Sequence, residues 1–347
     1  MTVGLVVVTF NAEAFVRRTL DAVAAQTHPP HEVVIVDNQS TDQTWAVLEE
    51  ATRGWSIPVR LVAAGGNTGF ASANNRGVAL LEPCDLIALL NPDAVPEPDW
   101  LEVMVRAAEA HPEAASFASR LMLDGHPGVL DGAGDVCHIG GVVWRHGYGR
   151  TIAEVPDALT SQPVFAPCAA AALYGRADWE RAGGLDERFF CNVEDVDLGF
   201  RLQLAGRSCW YVAEAVVHHM SSATIGIGSP FAVYYGHRNI EWMFVKNLPA
   251  ALWWRYLPWH ALVWMVGLVW FSTHGRGKSF IRAKWDAIAR LGDVWRARRA
   301  VQAGRAVTAA QVLALLDRSS LVARFWRGPM EKRRLLQRPG NAAPGER

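Results

Sequence analysis

The chain has 347 residues, half of them hydrophobic, which suffices for one large domain or for one domain with an appendage. The formal net charge is zero, but residues 272–347 carry 17 Lys and Arg against 5 Asp and Glu, so the charges are segregated. A basic region of this kind suits anionic lipid headgroups or nucleic acid. The five cysteines stand singly without a CxxC pair, which argues against a disulfide framework or a zinc site and favours a reducing cytosol.

The first 110 residues alternate between buried-strand and helical patterns. Apolar runs predict strands at 3–9, 32–37, 59–63 and 86–90, and the segments between and after them predict helices at 11–25, 41–52, 68–81 and 100–110. The first apolar run is too short, and lacks the basic flank, for a signal peptide. Strands that alternate with helices imply a parallel sheet with right-handed crossovers, and ligands bind beyond the carboxyl ends of such strands.

Beyond residue 116 the pattern changes. Glycines interrupt short apolar pieces up to residue 164, which predicts loops and antiparallel strands laid over the sheet. A helix is predicted at 194–205, and closing strands are predicted at 210–212 and 215–217. Residues 248–271 then contain five tryptophans, no acidic side chain, and Arg255 and His260 as the basic ones.

This tryptophan-rich stretch is marginal as a membrane span, because Pro258 lies near its middle and a span needs about 20 apolar residues. Tryptophan prefers the membrane interface, and the basic residues that follow would meet anionic headgroups. We therefore predict association with a membrane. Packing of the stretch on the body of the protein or on a partner subunit is the alternative.

Polar residues follow the first two strands directly. Thr9-Phe10-Asn11 is typical of a cradle for a nucleotide base, or of a strand end with Asn11 as a helix cap. Asp37 could accept a hydrogen bond from a base or a ribose hydroxyl, while Ser40 or Thr41 caps the second helix.

A glycine-led loop at 65–77 enters the third helix. It is neither GxGxxG nor a P-loop, but its small residues allow close backbone approach, and a helix N-terminus favours phosphate or ribose oxygens. Asn74 and Asn75 are weak helix formers, which favours a ligand-binding role. After the fourth strand, Asp93 could coordinate a divalent cation that bridges a diphosphate, or belong to a simple Pro-Asp turn.

Three acids stand within four residues at 194–197, before an amphipathic helix. Acids in a first turn complement the helix dipole, but a carboxylate in a cleft can also deprotonate an acceptor hydroxyl. His218-His219 ends a later strand, where imidazole could join Asp93 on the metal or form a structural pair.

Six motifs follow one another in the chain: VVVTFNAEAFV, VDNQSTD, GGNTGFASANNRGV, LLNPDA, GGLDERFFCNVEDVDLGFRLQLAGRSCWYV and VVHHMSS. From about Val3 to Leu248 the chain resembles the family-2 glycosyltransferases, which have the GT-A fold. The closest resemblance is to the bacterial rhamnosyltransferase-like branch that builds cell-surface polysaccharides.

The resemblance implies roles for individual residues. The implied nucleotide-binding residues are Thr9, Phe10, Asn11, Glu13, Asp37, Asn38, Gly69, Phe70, Asn74 and Asn91. Asp93 is the remaining acid of the family's metal-binding element, with His218 as a further contact and Mg²⁺ or Mn²⁺ as the cation. Asp195 with Glu194 matches the catalytic pair, and the implied acceptor-binding residues are Glu194, Asp197 and Arg201.

The resemblance predicts a GT-A catalytic domain at 1–247, followed by a helical, Trp-rich and basic region at 248–347. The predicted reaction is inverting transfer of a sugar, with rhamnose the first candidate, from a dTDP- or UDP-linked donor to a lipid-linked or polysaccharide hydroxyl. We expect the protein on the cytoplasmic face of the plasma membrane, peripheral or with a single marginal hydrophobic segment. No nucleic acid partner is predicted, and homo-oligomerisation stays open.

The sequence disfavours three other functions. A nucleotide-sugar-binding subunit without transfer activity is disfavoured because both Asp93 and the Glu194-Asp195 pair are present. A nicotinamide-dependent oxidoreductase is disfavoured because no GxGxxG follows the first strand. A nucleotidyltransferase is disfavoured because no basic glycine-rich loop follows that strand.

Overall fold

The computed structural model describes residues 1–221 and 228–321. Within these ranges the strands are β1 (Val3–Thr9), β2 (Glu32–Asp37), β3 (Val59–Ala63), β4 (Leu86–Leu90), β5 (Ala94–Pro96), β6 (Ala114–Leu123), β7 (Leu130–Ala133), β8 (Asp135–Cys137), β9 (Val143–Arg145), β10 (Gln162–Val164), β11 (Ala171–Gly175) and β12 (Ser208–His219). The helices are α1 (Val16–Ala24), α2 (Thr44–Ala51), α3 (Gly69–Leu80), α4 (Trp100–Ala110), α5 (Arg176–Ala182), α6 (Glu194–Leu204), α7 (Pro230–Asn247), α8 (Ala250–Thr273), α9 (Gly277–Ala289), α10 (Leu291–Ala303) and α11 (Ala309–Leu315).

Most strands form one mixed sheet in the order β10-β12-β6-β11-β4-β1-β2-β3, with β5 beside β12 and β7 beside β6. As predicted, β1 to β4 are parallel to one another. β11 lies antiparallel between β4 and β6, and β8 and β9 form a separate hairpin. Because β1, β2 and β4 run in the same direction, Thr9, Asp37 and Leu90 end at one edge of the sheet.

Every residue of β1 is buried, because helices cover both faces of the sheet. Val3, Leu5 and Val7 pack with α1 and α4 on one face. Val6 and Val8 pack with α3 and α6 on the other face. This double covering explains why the strand is a continuous apolar run rather than an alternating one.

Helices α1 and α2 begin later than predicted, at Val16 and Thr44. The polar residues before them bond each other instead of capping helices. Asn11 accepts a hydrogen bond from the Thr41 N–H at 2.8 Å, and the Asn11 N–H donates to Ser40 Oγ at 2.8 Å. The predicted caps at Asn11 and at Ser40 or Thr41 are therefore wrong, and these residues join the loops after β1 and β2.

Helices α7 to α10 pack on the sheet-containing body through a shared apolar cluster that includes Phe200 of α6 and Trp242 of α7. An ion cluster supports the same contact. Lys246 Nζ donates to Asp197 Oδ2 at 2.8 Å and to Asp186 Oδ2 at 2.5 Å. Helix α7 is thereby fixed against the start of α6.

Helix α8 is covered on part of its surface only, by contacts at Leu252, His260 and Gly267. Trp254 and Val269 are 66% and 65% exposed, and Trp285 of α9 is 71% exposed. None of the helices in the described ranges has the length and apolarity needed to cross a bilayer. Residues 322–347, which hold part of the predicted basic region, and Ser222 of the last motif lie outside the described residues.

Candidate active site

A cavity of about 690 Å³ opens at the carboxyl ends of the parallel strands. It is bordered by β1, by the residues after β4, by the starts of α3 and α6, by the β8–β9 hairpin and by α7. Ligands of open α/β sheets bind at this position. The predicted site residues that line the cavity are Thr9, Phe10, Asn38, Gly69, Phe70, Asn91, Asp93, Glu194 and Asp195.

In the described structure the other predicted site residues lie away from the cavity lining: Asn11, Glu13, Asp37, Asn74, Asp197, Arg201 and His218. Asn11 and Glu13 bond to the turn before α2, since Glu13 Oε2 accepts from the Gln43 N–H at 2.7 Å. The polar side-chain atoms of Asn11 and Glu13 therefore bond the protein backbone rather than facing the cavity.

Asp37 is buried just behind the lining. It accepts hydrogen bonds from Thr9 Oγ1 at 2.9 Å and from the N–H and Oγ of Ser40 at 3.0 and 2.6 Å, so both carboxylate oxygens are occupied. Asn74 is also buried and donates to the Phe70 carbonyl at 2.9 Å. In this structure Asp37 orients Thr9, and Asn74 stabilises α3, rather than presenting polar atoms to the cavity.

The predicted acceptor contacts of Asp197 and Arg201 do not fit the geometry. Arg201 donates to Asp197 at 2.9 Å and to the carbonyls of Ala182 and Gly184 at 2.6 and 2.7 Å. Asp197 is fully buried and also accepts from Lys246. These two residues lie one helical turn apart and face the interior of the protein, where they hold α6 against α7 and the 182–184 loop.

The segment before α6 has a strained backbone. Phe190, Asn192 and Val193 have φ values of 65°, 67° and 74°, a left-handed conformation that is unfavourable for a β-branched residue such as Val193. Asn239 of α7 is fully buried and donates toward the carbonyls of Cys191 and Asn192 at 2.8 and 2.7 Å. Helix α7 therefore fixes the segment that places the two acids of α6 at the cavity.

The two acids at the start of α6 differ in their hydrogen bonding. Asp195 accepts from the N–H groups of Ala169 and Val196 at 2.9 and 2.8 Å. Burial raises the pKa of Asp195, although these backbone donors favour the ionised form. Burial and the neighbouring Asp195 charge raise the pKa of Glu194 well above its ordinary value, which favours a protonated Glu194 at neutral pH. Asp195 is thus the better hydrogen-bonded carboxylate of the pair.

Successive residues of a strand face opposite sides, so His218 and His219 cannot both face Asp93. His218 lies outside the cavity, with Nε2 2.9 Å from Glu97 Oε1. His219 is buried, with Nε2 3.3 Å from Asp93 Oδ1 and Nδ1 2.7 Å from Asp131 Oδ2. The predicted role of His218 beside the metal acid does not fit this geometry, and His219 takes that position.

Asp131 and Arg145 complete the surroundings of His219. Arg145 Nη1 lies 2.5 Å from Asp131 Oδ2. Burial would raise the pKa of Asp131, but Arg145 and His219 lower it to about 2. Burial opposes a charge on His219, but the hydrogen bond to Asp131 and the negative charges of Asp131 and Asp93 raise the pKa of His219 to about 9.

Asp93 and His219 would hold a divalent cation once the cation displaces the Nε2 proton, which the raised pKa of His219 otherwise retains at neutral pH. His219 Nε2 is buried and makes no hydrogen bond of acceptable geometry to any described residue. A histidine that binds a metal through one nitrogen usually bonds a carboxylate through the other, as His219 does with Asp131. Asp93 and His219 therefore offer an oxygen and a nitrogen ligand at the cavity.

Sequence reasoning missed several residues at this site. Asp135 and Arg145 lie in the glycine-interrupted region, where no periodic pattern marks a site, and Asn239 lies in the middle of a helix. Asp135, Cys168 and Asp195 each bring one polar atom to within 4.8 Å of the others. His219 is the exception, because successive residues of a strand face opposite sides of the sheet. The sequence therefore indicates that one of His218 and His219, but not both, can face Asp93.

Residues 5–135 match the family model "Glycosyl transferase family 2". This part of the chain therefore has the sequence features of the family-2 glycosyltransferases. It is 28% identical over 270 residues to the N-acetylglucosaminyl-diphospho-decaprenol L-rhamnosyltransferase of Mycobacterium tuberculosis, a match that covers 72% of this chain and 86% of that protein. The predicted resemblance to family-2 glycosyltransferases of the rhamnosyltransferase-like branch is thus confirmed.

Solved structures extend the fold comparison beyond the 5–135 match. GalNAc-T7, solved with UDP, GalNAc and Mn²⁺, superposes with a TM-score of 0.58 at 14% identity over 72% of this chain and 48% of its own, so this chain spans about half of it. Staphylococcus aureus TarS 1–349, solved with UDP-GlcNAc, superposes with a TM-score of 0.54 at 18% identity over 87% of this chain and 90% of its own. At these identities the likeness shows the fold alone, and the predicted GT-A fold is confirmed.

Gly69 offers a matched test of the packing at the start of α3. Gly65 and Gly69 both have left-handed φ values, 78° and 85°, but a Cβ on Gly69 would lie 2.6 Å from the Phe190 carbonyl oxygen, whereas nothing lies within 4 Å of one on Gly65. We expect Gly69→Ala to lower the free energy of unfolding by about 1–3 kcal/mol more than Gly65→Ala, measured by urea denaturation. Equal losses would show that the close approach of α3 to Phe190 has no energetic importance.

Proposed function

We propose that this chain is an inverting glycosyltransferase that uses Asp195 as the base. The observation that carries the proposal is the half-buried carboxylate of Asp195 at the cavity, which accepts hydrogen bonds from two backbone N–H groups. Among the described residues no positively charged side chain lies at hydrogen-bond distance from it. A group of this kind can take a proton from an acceptor hydroxyl. The raised pKa of Asp195 brings it nearer to neutral pH, where a general base is most effective.

The proposed reaction is a single displacement at C1 of the donor sugar. The acceptor oxygen attacks C1 of the sugar from the face opposite the leaving group, and its proton moves to the Asp195 carboxylate. The bond between C1 and the diphosphate oxygen breaks, and the electron pair leaves with the nucleoside diphosphate. Because no covalent enzyme intermediate forms, the anomeric configuration inverts.

The donor would lie on the sheet side of the cavity, along Thr9, Asn38 and Asn91. The N-terminus of α3 opens onto the same space and favours negatively charged oxygens. Asp93 and His219 would hold Mg²⁺ or Mn²⁺. A bound divalent cation neutralises the diphosphate and stabilises it as a leaving group.

The sugar and acceptor are proposed from similarity. The name of the M. tuberculosis relative specifies transfer of L-rhamnose to N-acetylglucosaminyl-diphospho-decaprenol. We infer that this chain also transfers a rhamnose-type sugar to a lipid-linked acceptor in cell-surface glycan synthesis. A dTDP-linked donor is the first candidate and a UDP-linked donor is the second.

A lipid-linked acceptor calls for contact with the membrane, here the cytoplasmic face of the plasma membrane. We call the side chains of Trp254, Trp259, Trp264, Trp270 and Trp285 the tryptophan surface, since each is at least 37% exposed. No Asp or Glu occurs at 242–285, whereas Arg255, Arg276, Lys278 and Arg282 do. Exposed tryptophans beside basic residues match the interface of an anionic bilayer.

The base assignment is tested by Asp195→Asn. The amide keeps the shape of the side chain but cannot accept the proton, so we expect transfer to fall by about 10²–10⁴-fold. Binding of the nucleoside diphosphate should change little, as measured by calorimetry. Asp99→Asn, at an exposed position without a side-chain cap bond, is the control. Transfer at the wild-type rate by Asp195→Asn would contradict the proposal.

The neighbouring histidines allow a matched test of the metal site. We expect His219→Ala to weaken binding of Mn²⁺ in the presence of nucleoside diphosphate by at least about tenfold, because it removes a proposed ligand. His218→Ala, which alters the next residue of the same strand, should bind Mn²⁺ like the wild type. Thermal-shift titrations measure both, and identical behaviour of the two variants would exclude His219 as a ligand.

The tryptophan surface is tested with vesicles. We expect the intact chain to bind phosphatidylglycerol-containing vesicles more strongly than phosphatidylcholine vesicles, with the difference shrinking as salt is added. The double variant Trp254→Ser and Trp285→Ser should bind the anionic vesicles about tenfold more weakly, because it removes apolar area from the interface. Trp45→Ser on α2, a tryptophan of the body, is the control. Equal vesicle binding by the double variant and the control would exclude this surface.

A further inference from the structure

Asp135 begins β8 and contributes to the cavity lining beside the acids of α6. It is only 5% exposed, and its backbone N–H donates to the Ala166 carbonyl at 2.8 Å. Among the described residues none donates a hydrogen bond to its carboxyl group. A buried carboxyl group without a partner is costly unless it is protonated or is completed by a ligand.

The neighbour of Asp135 across the cavity is Asp195. One carboxylate oxygen of each, together with Cys168 Sγ, lies within 4.8 Å of the others. The positive charge that acts on Asp135 is that of Arg145, which is hydrogen-bonded to Asp131 rather than to Asp135. The titratable and charged groups that act on Asp135, or on which it acts, are Asp195, Cys168, Arg145, Asp131, Tyr174 and Cys209.

Two carboxyl groups this close do not both ionise readily in a buried site. Two backbone N–H groups stabilise the negative charge on Asp195, whereas no such donor reaches the carboxyl group of Asp135. The proton of the pair is therefore expected on Asp135. Burial and the Asp195 charge raise the pKa of Asp135 well above its ordinary value, in agreement with this arrangement.

We propose that Asp135 is a second functional carboxyl group, which stays protonated and donates a hydrogen bond that orients the acceptor hydroxyl between itself and Asp195. This inference rests on the proposed transfer reaction and extends it to the acceptor side of the site. An oxygen atom at about 2.7 Å from each carboxyl group fits between two oxygens that are at most 4.8 Å apart.

The geometry of the hydroxyl oxygen explains what this would achieve. One of its four tetrahedral directions is the bond to carbon, a second is the O–H group that donates to Asp195, and a third is a lone pair that accepts from Asp135. The fourth direction, the remaining lone pair, is then aimed at C1 of the donor sugar. Such orientation of the reacting groups lowers the barrier without a further chemical step.

The proton balance is simple. Before transfer the pair carries one proton, on Asp135, and one negative charge, on Asp195. The acceptor proton moves to Asp195 as the new bond to C1 forms, and Asp135 keeps its own proton throughout. If Asp135 ionises at high pH, both carboxylates can only accept, and the single hydroxyl proton cannot satisfy both.

The test is the pH dependence of kcat/KM for the acceptor in three proteins. Wild type should lose activity as pH rises through the pKa of Asp135. Asp135→Asn supplies an N–H donor at every pH, so it should keep activity within about tenfold at neutral pH and lose the alkaline decline. Asp135→Ala has no donor and should be at least about tenfold slower than Asp135→Asn at neutral pH, with unchanged donor KM.

An infrared measurement needs no substrate and separates this inference from the transferase proposal. The band of a protonated carboxyl group at pH 7 should be weaker in Asp135→Asn than in wild type, whereas Asp157→Asn, at an exposed position, should match wild type. Asp135→Ser is the second variant if the amide does not fold. An unchanged infrared band, or an alkaline decline that persists in Asp135→Asn, would overturn the assignment. Absence of transfer by wild type with an altered band would contradict the proposed function alone.

Discussion

The partial burial of Asp195 at the start of α6 is the constraint on which the site depends. A carboxylate in this position is tolerated because the N–H groups of Ala169 and Val196 point at its two oxygens. Those donors keep a negative charge available in a region where burial would otherwise remove it. The chemistry of the cavity therefore depends on backbone geometry, which the left-handed segment before α6 provides.

Helix α7, which is not part of the sheet, holds that segment in place. Asn239 of α7 donates toward the carbonyls of the strained turn, and Lys246 of the same helix joins Asp197 and Asp186. The helices after β12 are thus structural supports of the proposed base as well as carriers of the tryptophan surface. Helix α7 lines the cavity and leads directly into α8, which carries most of the tryptophan surface. This proximity of the site to the proposed membrane-facing helices suits a lipid-linked acceptor.

Much of the sheet could be predicted from the sequence, and the reasons are local. Buried parallel strands are continuous apolar runs, so β1 to β4 were found with their boundaries, and polar residues at their ends indicated the ligand edge. The helix starts could not be predicted, because Asn11 and Ser40 bond across two loops that are distant in sequence. Pattern reasoning takes such residues for caps, since a cap needs only local partners.

Site residues could be predicted where a short motif follows a strand or begins a helix, because that place in the fold puts its side chains at the cavity. The pair of acids before α6 and Asp93 after β4 both line the cavity. Asp197 and Arg201 belong to the same motif but face the interior, because residues one turn apart on a buried helix share its inner side. Asp135 and Asn239 reach the site through tertiary packing of an irregular segment and a helix middle, which no periodicity in the sequence reveals.

The central claim is a single displacement with Asp195 as base and no covalent intermediate. The most direct measurement is the anomeric configuration of the transferred sugar, read by NMR from the one-bond carbon–hydrogen coupling at C1 of the product and compared with that of the donor. Inversion is predicted, because the acceptor oxygen must approach from the face opposite the departing diphosphate. Retention of configuration would contradict the proposed role of Asp195.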